Sequence, residues 1–76
     1  MMKWEYCQII KRNTHEDVPK YIVTMNDKTR DVPQWEGLHE IRVLDVFGDE
    51  GWELVQVIRV SADWTQFYLK RPIGGS

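Results

Sequence analysis

The residue that most constrains this chain is Gly51, because it separates two hydrophobic patterns of different period. Upstream of it, Leu38, Ile41, Leu44 and Phe47 recur at helical spacing, Val43 and Val46 widen the stripe, and Glu40, Asp45 and Asp49 lie towards the other side. Downstream, the run from Trp52 to Val60 is apolar at both parities, which is the pattern of a central strand covered on at least one face. A glycine just past the last helical residue can take the left-handed conformation that ends a helix. The spacing therefore predicts a helix from about Leu38 to Glu50 that turns directly into a strand. Trp52 is expected to close the core at that junction, with its indole N–H on a backbone carbonyl.

The flanking segments complete the outline. Trp4 to Arg12 and Tyr21 to Met25 read as strands from their aromatic and β-branched content, separated by a polar loop that ends in Pro19. Asn26-Asp27 is a turn dipeptide, and Lys28-Thr29-Arg30 fits either a short edge segment or irregular chain. Asp31-Val32-Pro33-Gln34 has the form of a capping box, so a loose turn is expected around residues 32–36, with Gly37 weakening any helix there. Ser61-Ala62-Asp63 is a tight turn into a last strand, Trp64 to Arg71, which Pro72 is expected to end. The resulting fold class is α+β: an antiparallel sheet of about four strands with one helix packed on one face through Leu38, Ile41, Leu44 and Phe47, in the order β-β-α-β-β. At 76 residues there is no room for a second core, so residues 1–72 are expected to form a single compact domain, followed by a flexible tail over residues 73–76.

Three pieces of sequence carry a family resemblance: Lys3-Trp4-Glu5-Tyr6 at the start, Leu44-Asp45-Val46-Phe47-Gly48-Asp49-Glu50-Gly51-Trp52-Glu53-Leu54-Val55 in the middle, and Tyr68-Leu69-Lys70-Arg71-Pro72 at the end. This set resembles the small bacterial and phage family known as domain of unknown function 4177, with Asp45 where that pattern has Asn and Phe47 where it has Leu. The resemblance implies a compact α+β domain without an assigned activity.

Charge and residue usage narrow the function classes. Ten basic and twelve acidic residues give a net charge of −2, too balanced for duplex nucleic-acid binding by charge alone. Cys7 is the single cysteine, which leaves no internal disulfide and no thiolate cluster for zinc and fits a reducing, cytoplasmic setting. No apolar run approaches a membrane span and the first residues lack a signal-peptide core, so membrane partners are not expected. Catalytic motifs fail on inspection. His39-Glu40 opens like a zinc-protease helix, but Val43 stands where the second histidine is needed. Gly48-Asp49-Glu50-Gly51 has the spacing of a backbone-clamping loop, but its acidic centre would repel phosphate. Asp45, Asp49, Glu50 and Glu53 read as a solvated acidic face, and Cys7 as a small buried hydrophobe. No catalytic residue, metal ligand or cofactor is assigned, and the chain is read as a non-enzyme.

What remains is the aromatic content: four Trp, three Tyr and two Phe. A sheet covered by one helix has a second face, and alternation sends Trp64 and Tyr68 to it if Phe67 and Leu69 meet the helix. The first strand sends there either Trp4, Tyr6 and Ile10, or Cys7 and Ile9. The expectation is a small interaction module, a homo-oligomer or the partner of another protein, that associates through this aromatic face or an edge strand, with Trp4, Tyr6, Trp64 and Tyr68 as anchors. The alternative is a protein that binds or sequesters a small nucleotide-like ligand on one of these aromatics with Lys70 or Arg71.

Overall fold

The computed structural model describes residues 3–14, 16 and 18–73. Strands β1 (Lys3–Asn13), β2 (Pro19–Met25), β3 (Lys28–Asp31), β4 (Glu53–Ser61) and β5 (Trp64–Ile73) form one antiparallel sheet in the order β3-β2-β1-β5-β4. A 3₁₀ turn (Pro33–Trp35) and the helix α1 (Glu40–Asp49) carry the chain from the β3 edge of the sheet to the β4 edge.

The expected sheet of about four strands in the order β-β-α-β-β is thus corrected to five strands, with three of them before the helix. The extra strand is the segment that the sequence left open. Asn26 and Asp27 both hold positive φ (54° and 63°), the geometry of a turn whose twist matches that of a two-stranded ribbon. That turn sets Met25 against Lys28 and Thr24 against Thr29, whose hydroxyls lie 2.9 Å apart. At the other end of the chain Pro72 does not end the last strand: β5 continues through it to Ile73, which pairs with Lys3. The remainder of the expected tail, residues 74–76, lies outside the described residues.

The strand after Gly51 is not central. It is an edge strand, because β5 returns along it from the turn at Ala62-Asp63 and then pairs over its full length with β1. The ladder between β4 and β5 slips at Leu54/Gln56 and again at Arg59/Ser61, leaving Val55 and Val60 as extra residues.

The core lies on one face of the sheet. Cys7 and Ile9 of β1, Tyr21 and Val23 of β2, and Phe67 and Leu69 of β5 are buried there with Val32, Val43, Phe47 and Trp52. The helix packs through Val43 and Phe47, one turn apart, with Leu44 partly buried; Ile41 stays 55% exposed and Leu38 precedes the helix altogether. The expected contact through Leu38, Ile41, Leu44 and Phe47 is met by Phe47 and in part by Leu44, and is corrected at Leu38 and Ile41. The His39 side chain accepts the Ile41 N–H at Nδ1 (3.1 Å), which makes His39 the cap of a ten-residue helix and leaves Leu38 outside it. The anticipated capping box at Asp31 does not form, since Val32 caps the 3₁₀ turn without a side-chain hydrogen bond.

Aromatic rings fill the space that a short helix leaves. Trp35, expected only as part of a loose turn, meets Tyr21 and Phe47 edge-on at centroid distances of 6.4 and 5.5 Å, and Phe47 meets Trp52 at 6.2 Å. The Tyr21 hydroxyl donates to the Leu38 carbonyl (2.7 Å), tying β2 to the chain just before the helix. Gly51 behaves as the sequence required: at φ 89° it lets its own N–H reach the Gly48 carbonyl and the Trp52 N–H reach the Phe47 carbonyl, both at 3.0 Å. Trp52 is buried at the junction, but its Nε1–H finds no hydrogen-bond partner among the described residues, contrary to expectation. Its ring is instead covered by the Arg71 guanidinium at 4.4 Å. No helix among the described residues is long and apolar enough to cross a membrane.

Candidate functional site

Strand alternation divides the predicted anchors between the two faces. Because Cys7, Ile9, Phe67 and Leu69 face the core, their strand neighbours Trp4, Tyr6, Gln8 and Ile10 of β1 and Trp64, Gln66, Tyr68 and Lys70 of β5 face away from it. The structure therefore brings Trp4, Tyr6, Trp64, Tyr68 and Lys70 onto one open face. Arg71, next in sequence to Lys70, turns to the helix side, where it pairs with Glu5, donates to the Glu50 carbonyl (3.1 Å) and covers Trp52. Lys70 and Arg71 cannot act on one ligand from one face.

The open face is largely committed to its own contacts. Lys70 Nζ sits 4.3 Å over the Trp4 ring, and the Arg12 guanidinium 5.0 Å over Trp64. Gln8 donates to the Tyr68 hydroxyl, which donates to Gln66, each at 3.0 Å. Only Tyr6, at 65% exposure, stands well clear. A depression of about 470 Å³ opens beside it, lined in part by Trp4, Tyr6, Gln8, Met25 and Tyr68. The Tyr68 hydroxyl is satisfied by Gln8 and Gln66, whereas the Trp64 Nε1–H is buried with no hydrogen-bond partner among the described residues.

The larger apolar surface is β4, which the sequence placed in the interior. Every one of its nine residues is exposed. Leu54, Val55, Val57, Ile58 and Val60 show 38–54% of their surface, although their type and their uninterrupted run belong to a buried strand. Pairing with β5 puts Leu54 and Val57 on the helix side, opposite Leu69 and Phe67, and Gln56 and Ile58 on the open side, opposite Tyr68 and Gln66. Both faces of the strand present exposed side chains, and its outer edge has no neighbour in the sheet among the described residues.

The titratable groups speak to the core rather than to chemistry. Burial pushes the Cys7 thiol up to about 11, with Arg71 opposing and Glu5 adding to the rise. Burial likewise pushes Tyr21 up to about 12, with Glu40 adding to it. Both groups stay protonated at neutral pH, and a thiol held that way is a packing element and not a nucleophile. Ion pairs at Lys11–Glu40 (3.2 Å) and Lys70–Glu53 (3.9 Å) tie β1 to the helix and β5 to β4. No group of three or more His, Cys, Asp or Glu among the described residues is arranged to hold a metal ion.

The sequence anticipated the facing of Trp64 and Tyr68, left that of Trp4 and Tyr6 open, and marked Trp52 to Val60 as a strand without placing it at the exposed edge. The available signal was the absence of any charge between Glu53 and Arg59, which can mark a strand that needs cover from outside as well as one covered from within. No family model, no curated protein and no solved structure matches the chain, so the resemblance to domain of unknown function 4177 rests on the residues quoted for it.

Proposed function

We propose that this chain is a non-enzymatic interaction module that self-associates, in a cytoplasmic setting, and that β4 is its principal association surface. The observation that carries this reading is the complete exposure of a nine-residue strand in which five residues are large and apolar. An exposed, long, apolar edge is a template for another strand, and proteins that stay monomeric blunt such edges with charge or cover. The open-face aromatics Trp4, Tyr6, Trp64 and Tyr68 supply a second, smaller surface. A nucleotide-like ligand is less well supported, since Lys70 and Arg71 lie on opposite faces and Lys70 already covers a ring.

Sedimentation velocity across a concentration series tests the reading. The wild-type chain is expected to dimerise at micromolar concentration, and Val57→Lys to remain monomeric there with an unchanged circular dichroism spectrum. A wild-type chain that stays monomeric throughout overturns the proposal.

A further inference from the structure

The two edges of the sheet differ in how they receive another strand, and that difference points to what β4 binds. β3 is four residues long and carries Lys28, Arg30 and Asp31. β4 is nine residues long, has no lysine, and holds its charges only towards its ends, at Glu53 and Arg59. Resting on the reading that the chain self-associates, we propose that the partner of β4 is the β4 strand of a second copy, joined antiparallel about a two-fold axis, so that two five-stranded sheets run on as ten.

Charge favours this arrangement. Antiparallel pairing brings the Glu53 end of one copy to the Arg59 end of the other, whereas parallel pairing would set Glu53 against Glu53. Closure favours it too. Joining β4 of one copy to β3 of the next would leave one β3 and one β4 still open at the ends, so such assemblies would add further copies until they closed into a ring or grew as a filament. Joining β4 to β4 consumes both apolar edges and leaves at the rims only the two short, charged β3 strands, which are the kind of edge that resists further pairing. The joint falls where the strand is most regular: between the slips at Val55 and Val60, residues Gln56 to Arg59 keep an unbroken ladder with β5.

The distance between the two β3 strands reports this geometry without touching the joint. A spin label on Thr29→Cys reads it, because Cys7 is buried with its thiol protonated and Thr29 is exposed. In the ten-stranded sheet the two β3 strands are nine strand spacings apart, about 43 Å at about 4.8 Å each. A second readout uses the unmodified chain: on raising concentration, amide exchange is expected to slow in β4 and to stay unchanged in β3. A dimer with Thr29 labels close together, or protection confined to β1 and β3, overturns the β4 joint while leaving self-association standing. Oligomers that grow steadily with concentration overturn it in favour of β4-to-β3 pairing. A chain that is monomeric throughout overturns both this inference and the reading beneath it.

Discussion

The edges of this sheet solve the same problem in opposite ways. Both β3 and β4 expose every residue and have one sheet neighbour each. At β3 the exposed side chains are Lys, Thr, Arg and Asp, which water solvates at little cost; at β4 they include Leu, Ile and three Val, which it does not. A single sheet thus ends on one side in a strand suited to solvent and on the other in a strand suited to an interior. The lesson is that the burial preference of a residue run and its position in the sheet are separate properties, and their disagreement at β4 is what the proposed self-association would resolve.

The sharpest way to test this contrast is to compare residues that face each other across one ladder. Leu69 of β5 and Leu54 of β4 are paired, yet one is buried and the other is not. Leu69→Ala is expected to cost about 2–5 kcal/mol in urea denaturation, because it empties a packed site.

The interior also carries a pH signature. The Cys7 thiol is raised by burial to about 11 from an ordinary value of 9.0, so the folded state holds its proton more tightly than the unfolded state does. The stability from this group is fully present below about pH 9 and is lost as pH rises through about 11. The free energy of unfolding measured by urea denaturation is expected to fall over that window by an amount on the order of 3 kcal/mol, and Cys7→Ala is expected to flatten the fall. Tyr21, raised to about 12, extends the decline to higher pH in the same direction.

Placing a lysine on each edge in turn breaks the comparison directly. Ile58→Lys on β4 is expected to weaken self-association at least about tenfold, about 1.4 kcal/mol, whereas Thr29→Lys on β3 is expected to leave it unchanged; analytical ultracentrifugation distinguishes the two. Equal effects would mean that the edges are not different after all. The smallest effect belongs to Leu54→Ala, which is expected to change the stability of the dilute monomer by no more than about 0.5 kcal/mol.

How much of this was legible in the sequence depended on whether a local pattern determined the outcome. Gly51 was readable because positive φ is a local demand that glycine meets. The facing of Trp64 and Tyr68 followed from Phe67 and Leu69 by alternation alone. The same alternation separates Lys70 from Arg71 and decides between them, since of the two alternatives only Lys70 shares the open face with Trp4 and Tyr68. β3 was hidden because Lys-Thr-Arg-Asp has no hydrophobic period; it is a strand because a turn of the right hand lays it against β2. β4 misled because a continuous apolar run states that cover is needed and is silent on which molecule supplies it. Trp35 was missed as a core ring because a 3₁₀ turn imposes no period that would reveal which way its side chains point.

The place of β5 in the sheet bears on how the molecule is made. It is the last of the described elements along the chain, yet it lies between β1 and β4 and, among the described residues, is the one neighbour of β4 in the sheet. During synthesis β4 therefore emerges before the one strand that can hold it, and the sheet cannot close until the final ten residues of the ladder have left the ribosome. Pairing β5 with β1 joins residues as distant in sequence as Lys3 and Ile73, which is the kind of distant closure that makes folding slow. In that interval Leu54, Val55, Val57, Ile58 and Val60 have no strand beside them, the condition in which exposed apolar chain is most prone to aggregate.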